Sequence, residues 1–97
     1  MLFAIHALDH EDALPKRREA QAAHSAYLKD ASAHGVKIVI SGPLTKDDGE
    51  TMIGSLFVVE ARDRASAEKF NAEDPYQKAG VWKQVTITAF IKRTDNR

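Results

Sequence analysis

The chain has no cysteine. That absence removes disulfide cross-links, thiolate nucleophiles and thiolate metal sites together. It has no surplus of either charge: 14 Lys and Arg balance 14 Asp and Glu. No field is available to attract nucleic acid or an anionic membrane, so neither is expected as a partner. Long apolar runs are missing as well. The apolar opening Met1–Leu8 stops at Asp9 with no basic region before it. It is expected to be a first strand and not a signal peptide, with a cytoplasmic location by default. Repeats, low-complexity tracts and linkers are absent, and 97 residues suit one domain spanning 1–97.

What is present is a globular pattern, with 43% hydrophobic and 29% charged residues excluding a disordered chain. In Leu2–Leu8, Phe3, Ile5 and Ala7 alternate with Leu2, Ala4, His6 and Leu8, so both faces are largely apolar. Asp9-His10-Glu11-Asp12 then breaks the strand and supplies carboxylates suited to a helix N-terminus. From Ala13 to His34 the composition predicts one long helix that stops at Gly35. Ala20, Ala23, His24, Tyr27, Leu28 and Ala31 form its inward stripe.

Val36–Leu44 reads as a second strand, bent or bulged at Gly42-Pro43. A polar hairpin around Asp48-Gly49 leads to a third strand over Met52–Glu60. Its apolar core Leu56–Val59 predicts a strand covered on both faces. Asp63 is placed to cap a second helix ending near Ala72, with Ala67 and Phe70 inward. Trp82–Lys92 is the last strand, and Thr94–Arg97 a frayed tail.

The order β-α-β-β-α-β predicts an α+β, ferredoxin-like sandwich with a four-stranded antiparallel sheet. Both helices then cover one face of the sheet. The apolar second faces of the first and third strands call for another copy of the chain, hence a homodimer.

Between the second helix and the last strand, Asn71–Trp82 carries more than a linker needs. Asp74 and Pro75 suit the cap and first position of a short helix, and Gly80 its left-handed end. Local sequence alone makes Asp74 an N-cap. A functional role needs a distant partner, and His24, a polar residue inside an apolar stripe, is the candidate. A buried histidine is either a hydrogen-bonded core residue or one facing a pocket. His6, His10 and His34 read as strand, loop and helix-end residues, and no metal-ligand spacing joins them. Tyr27 and Tyr76 have a packing role open to them, and nothing local marks Ser41 or Ser55 as a nucleophile.

The ordered set His24-Ser25-Ala26-Tyr27-Leu28, Gly35, Ser41-Gly42-Pro43, Gly54-Ser55 and Asp74-Pro75-Tyr76 with Ala79-Gly80 resembles the YciI-like (YCII) family. The resemblance runs from the Met-Leu-Phe opening to the last strand. It implies a ferredoxin-like chain pairing as a dimeric α+β barrel, a homodimer or a higher oligomer. It also implies a pocket with a His-Asp pair, mapping onto His24 and Asp74. Ser41, Gly42, Pro43 and Ser55 match positions near that pocket, and Tyr76 joins them as a substrate contact. Relatives often carry arginine three residues before the histidine, where this chain has Gln21.

A carboxylate on one imidazole nitrogen orients the ring and makes the other nitrogen a better base. That suits removal of an acidic proton beside a carbonyl, as in elimination or isomerisation, with an unnamed small molecule as ligand. Such chemistry requires no cofactor, and none is expected. Two readings stay open: a small acid–base enzyme of lyase or isomerase type, and a non-catalytic ligand-binding or accessory module using the same pocket. A third makes the chain an interaction domain whose partner is itself.

Overall fold

The structure, a computed structural model, describes residues 1–97. Its elements are β1 (Leu2–Asp9), α1 (Leu14–Lys29), a 3-10 turn (Ala31–His34), β2 (Val36–Thr45), β3 (Met52–Ala61), α2 (Arg64–Ala72), α3 (Pro75–Lys78) and β4 (Trp82–Phe90). The four strands pair antiparallel in the order β2-β3-β1-β4. This is the expected α+β ferredoxin-like arrangement. No helix is long and apolar enough to cross a membrane.

The period of two along each strand divides the sheet. Phe3, Ile5 and Ala7 of β1 and Phe57, Val59 and Ala61 of β3 are buried. They form one core with Ala67 and Phe70 of α2, Tyr76 of α3 and Trp82 of β4. Asp9 continues the β1 inner series, because the strand runs one residue past its expected end. The other face holds no helix, and Leu8, Ile40, Leu56 and Phe90 are exposed there.

Local signals explain much of this. Asp63 accepts from the Ser66 amide at 2.9 Å and caps α2 as its position predicts. Gly54 lies where β3 crosses β1, and a Cβ there would collide with the Ala7 carbonyl.

Several expectations change. The long helix ends at Lys29 and continues as a 3-10 turn to His34, since Asp30 leaves helical geometry at φ −101°, ψ 22°. Within the expected stripe Ala23 is exposed, whereas Arg17 is buried. The acidic Asp9–Asp12 segment does not cap α1: Ala13 precedes the helix without a side-chain cap, and Asp9 turns inward instead. Gly42-Pro43 stays in register with Leu56 and Ser55, which is tolerable because β2 is an edge strand. The irregularities fall between Ile38 and Ile40 and between Leu44 and Thr45. Val39, left outside the ladder, offers its carbonyl to Arg97 at 2.9 Å, so the C-terminal tail gains an anchor.

Candidate active site

The α1 residues Arg17, Gln21, His24, Ser25 and Leu28 fall on one helical stripe and wall a pocket of about 220 Å³. Ser41, Gly42 and Pro43 of β2 close another side, with Met52, Ser55 and Phe57 of β3 and Tyr76 of α3 completing it. The structure therefore gathers His24, Ser41, Gly42, Pro43, Ser55 and Tyr76 around one space. Asp74 sits behind His24, only 1% exposed, and does not itself line the pocket.

His24 Nδ1 lies 2.7 Å from Asp74 Oδ1. A carboxylate accepts, so the imidazole donates through Nδ1–H, which leaves the Nε2 lone pair free. Aromatic rings hold the imidazole plane. It stacks on Tyr76 at 3.8 Å between centroids and 14° between planes, with Phe57 and Trp82 edge-on. Asp74 Oδ1 also accepts from the Tyr76 amide at 2.8 Å. The cap of α3 and the contact with His24 thus fall on the same oxygen, Asp74 Oδ1. Gly80 ends the segment at φ +75°, in the left-handed region that favours glycine. Asp74 Oδ2 is buried without a partner. Both hydrogen bonds to the Asp74 side chain, from the His24 ring and from the Tyr76 amide, are therefore made to Oδ1.

A second polar group lies beside the first, and sequence reasoning did not single it out. Arg17 is 3% exposed. Its Nε and Nη2 donate to the two carboxylate oxygens of Asp9 at 3.0 and 3.1 Å. Nη2 also reaches the Gly54 carbonyl at 2.7 Å and Ser55 Oγ at 2.9 Å. The guanidinium carbon lies 4.7 Å over the centroid of the Tyr76 ring. Burial raises the pKa of the Tyr76 phenol, and the neighbouring Arg17 charge opposes that rise. Ser55, expected as a substrate contact, spends an oxygen lone pair on Arg17.

A usable cue for Arg17 was its place two helical turns before His24, on the same stripe. An arginine on a helix normally snorkels to water, so that cue needs Asp9, Gly54 and Ser55 to give it weight. Away from the pocket, Tyr27 donates to the Phe70 carbonyl at 2.7 Å. Burial, with Glu73 and Asp74 nearby, pushes its phenol up to about 12. No three His, Asp or Glu side chains converge as metal ligands would.

Comparison with known proteins follows the same outline. The YCII-related domain matches residues 1–91. Protein YciI of Escherichia coli is 32% identical over 97 residues, covering 95% of this chain and 98% of that protein. The 5-chloro-2-hydroxyhydroquinone dehydrochlorinase of Burkholderia phenoliruptrix, solved with 2,5-dihydroxybenzoquinone, superposes with a TM-score of 0.82. It is 33% identical, and the match covers 94% of each chain. Rv0793 of Mycobacterium tuberculosis shares the fold, at a TM-score of 0.52 and 16% identity over 97% of each chain.

Proposed function

The chain belongs to the YCII-related family, and on that premise we propose that it is a small acid–base enzyme of lyase or isomerase type. Its substrate is a compact cyclic metabolite bearing a carbonyl. The observation that carries this reading is the 2.7 Å contact of His24 Nδ1 with buried Asp74, which leaves Nε2 free on a residue lining the pocket. Nε2 takes a proton from a carbon next to the carbonyl, and the electron pair moves onto the carbonyl oxygen. Re-protonation at another carbon completes an isomerisation. Departure of a leaving group with its electron pair completes an elimination. Asp74 orients the ring and stabilises the imidazolium that forms. Ser41, Gly42, Pro43, Ser55 and Tyr76 surround the substrate.

Pocket size supports a ring as the substrate. A cavity of about 150 Å³ suffices for benzene, and this pocket is about 220 Å³. The similarity to a dehydrochlorinase holding 2,5-dihydroxybenzoquinone points to the same substrate class. Exchange of the ring C–H of 2,5-dihydroxybenzoquinone with D2O, in which a deuteron is delivered to the ring carbon and the original proton is then removed, tests proton transfer at carbon without needing a leaving group when followed by proton NMR. His24→Asn should slow the protein-catalysed exchange by roughly 10²–10⁴-fold while the fold persists. Unchanged exchange in folded His24→Asn defeats the proposal.

A second reading keeps the pocket and drops the chemistry. Because Asp74 Oδ1 also holds the Tyr76 amide, the pair fastens α3 against α1 and would serve a ligand-binding or accessory module equally well. Tight binding of the quinone without exchange would favour it. In either case we propose self-association through the open sheet face, as a homodimer or higher oligomer, and a cytoplasmic location.

A further inference from the structure

One donor in the pocket wall is left over. Arg17 spends Nε and Nη2 on Asp9, the Gly54 carbonyl and Ser55, and Nη1 takes part in none of these bonds. The enclosed polar side-chain atoms that lack a partner are Asp74 Oδ2, Gln77 Oε1 and Trp82 Nε1. Nη1 is not one of them and so is not sealed off, and Arg17 is among the residues that line the pocket. The Tyr76 hydroxyl, beside the Arg17 guanidinium, is likewise not enclosed. Two donor-bearing side chains that neighbour one another thus border one space. That space is also bounded by the His24 ring, stacked on Tyr76 at 3.8 Å.

We propose that Arg17 Nη1 and the Tyr76 hydroxyl form the oxyanion site of this pocket. They would hold the substrate oxygen that gains charge when His24 removes a proton from the adjacent carbon. The inference rests on the acid–base reading above. As the C–H bond breaks, its electron pair becomes the new C=C bond and the former carbonyl pair settles on oxygen. Collapse of that enolate expels the leaving group or takes a proton back.

Preorganisation is the physical argument. A donor aimed in advance at developing charge stabilises it with no reorganisation at the moment of reaction. Four hydrogen bonds from two of its nitrogens fix the guanidinium plane. Apart from His24, Arg17 is the only basic side chain among those lining the pocket, since Gln21 is neutral. Asp9 already neutralises it, so the site suits one delocalised oxyanion, a phenolate or enolate, better than a free carboxylate.

The test uses 2,5-dihydroxybenzoquinone, whose visible absorption reports its ionisation, titrated against the intact protein across pH. Arg17→Lys keeps the charge but loses the planar fork. It should weaken binding about 10-fold or more, and Tyr76→Phe by about 3–10-fold. Both variants should move the ionisation midpoint of the bound quinone upward. Folded Arg17→Lys binding the quinone within twofold of the wild type overturns the proposal, as does a wild type that fails to bind it at millimolar concentration. Should Arg17→Lys not fold, the wild type decides: the guanidinium ¹⁵N resonances of Arg17 must shift on saturation, and unmoved resonances overturn the assignment. His24→Asn separates this claim from the one beneath it. Retained quinone binding with exchange lost supports both. Retained exchange defeats the acid–base reading and leaves the Arg17 binding result to be judged by its own variants.

Discussion

The two faces of one sheet are built from alternate residues of the same strands, yet they differ in kind. Phe57 is 2% exposed and its neighbour Leu56 is 38% exposed. On the helix-covered face, apolar packing ends in a polar cluster whose members are held by directed bonds: Asp9 to Arg17, Arg17 to Gly54 and Ser55, Asp74 to His24. The open face offers Leu8, Ile40, Leu56 and Phe90, a surface without such bonds. The directed face holds its polar side chains by hydrogen bonds, the kind of positioning that a reaction needs. The undirected face rewards only contact area, which on the proposed self-association a symmetric copy would supply. On the proposed reading, chemistry and assembly are separated by the sheet itself.

Breaking each face in turn should show the difference. Phe57→Ala should cost about 3–5 kcal/mol through lost burial and the cavity left behind. Leu56→Ala, one residue earlier, should cost far less when unfolding is followed by urea at high dilution. Equal losses at all concentrations would mean that the open face is covered within the single chain, contrary to the comparison.

A charge sharpens the second face. Leu56→Asp should weaken self-association by about 3 kcal/mol or more, since an unpaired carboxylate would enter an apolar interface. Light scattering at micromolar concentration should then move from an oligomer mass to a monomer mass. A wild type already monomeric there would defeat the self-association proposal. His24 and Arg17 lie across the sheet, so quinone binding by the Leu56→Asp monomer also tests whether the pocket is complete in one chain.

The smallest effect is a titration. Tyr27 has a folded pKa of about 12 against an ordinary value of 10.0. A raised folded pKa means stability fully present below pH 10 and lost as pH rises toward 12, because the unfolded phenol releases its proton first. Tyr27→Phe should abolish that alkaline component. It should cost about 0.5–1.5 kcal/mol near neutrality through the lost bond to the Phe70 carbonyl. Stability measured by urea from pH 9 to 12 checks both. A Tyr27→Phe profile as steep as the wild type above pH 10 would show that another group is responsible.

Legibility followed the range of the interactions. The element order, the alternation in β1, the Asp63 cap and the left-handed Gly80 depend on residues a few positions apart, and the chain displayed them directly. Asp74 illustrates the limit: as a cap it was readable, while its tie to His24 reaches across 50 positions and was named only because a polar residue stood in an apolar stripe and the pattern resembled a family. The break at Asp30 and the bulge at Val39 were not readable, since helix formers surround the first and Val39 differs little from its strand neighbours.

Arg17 marks the boundary most clearly. By itself the sequence determined that a four-stranded sheet would carry helices on one face and leave an apolar surface on the other, because hydrophobic period and turn chemistry are local properties. Whether an arginine in the first turns of α1 would reach water or turn inward was undecided until β1 brought Asp9, and β3 the Gly54 carbonyl and Ser55, within bonding distance. Burying that charge is favourable only when several partners meet it at once, and only the tertiary fold assembles them.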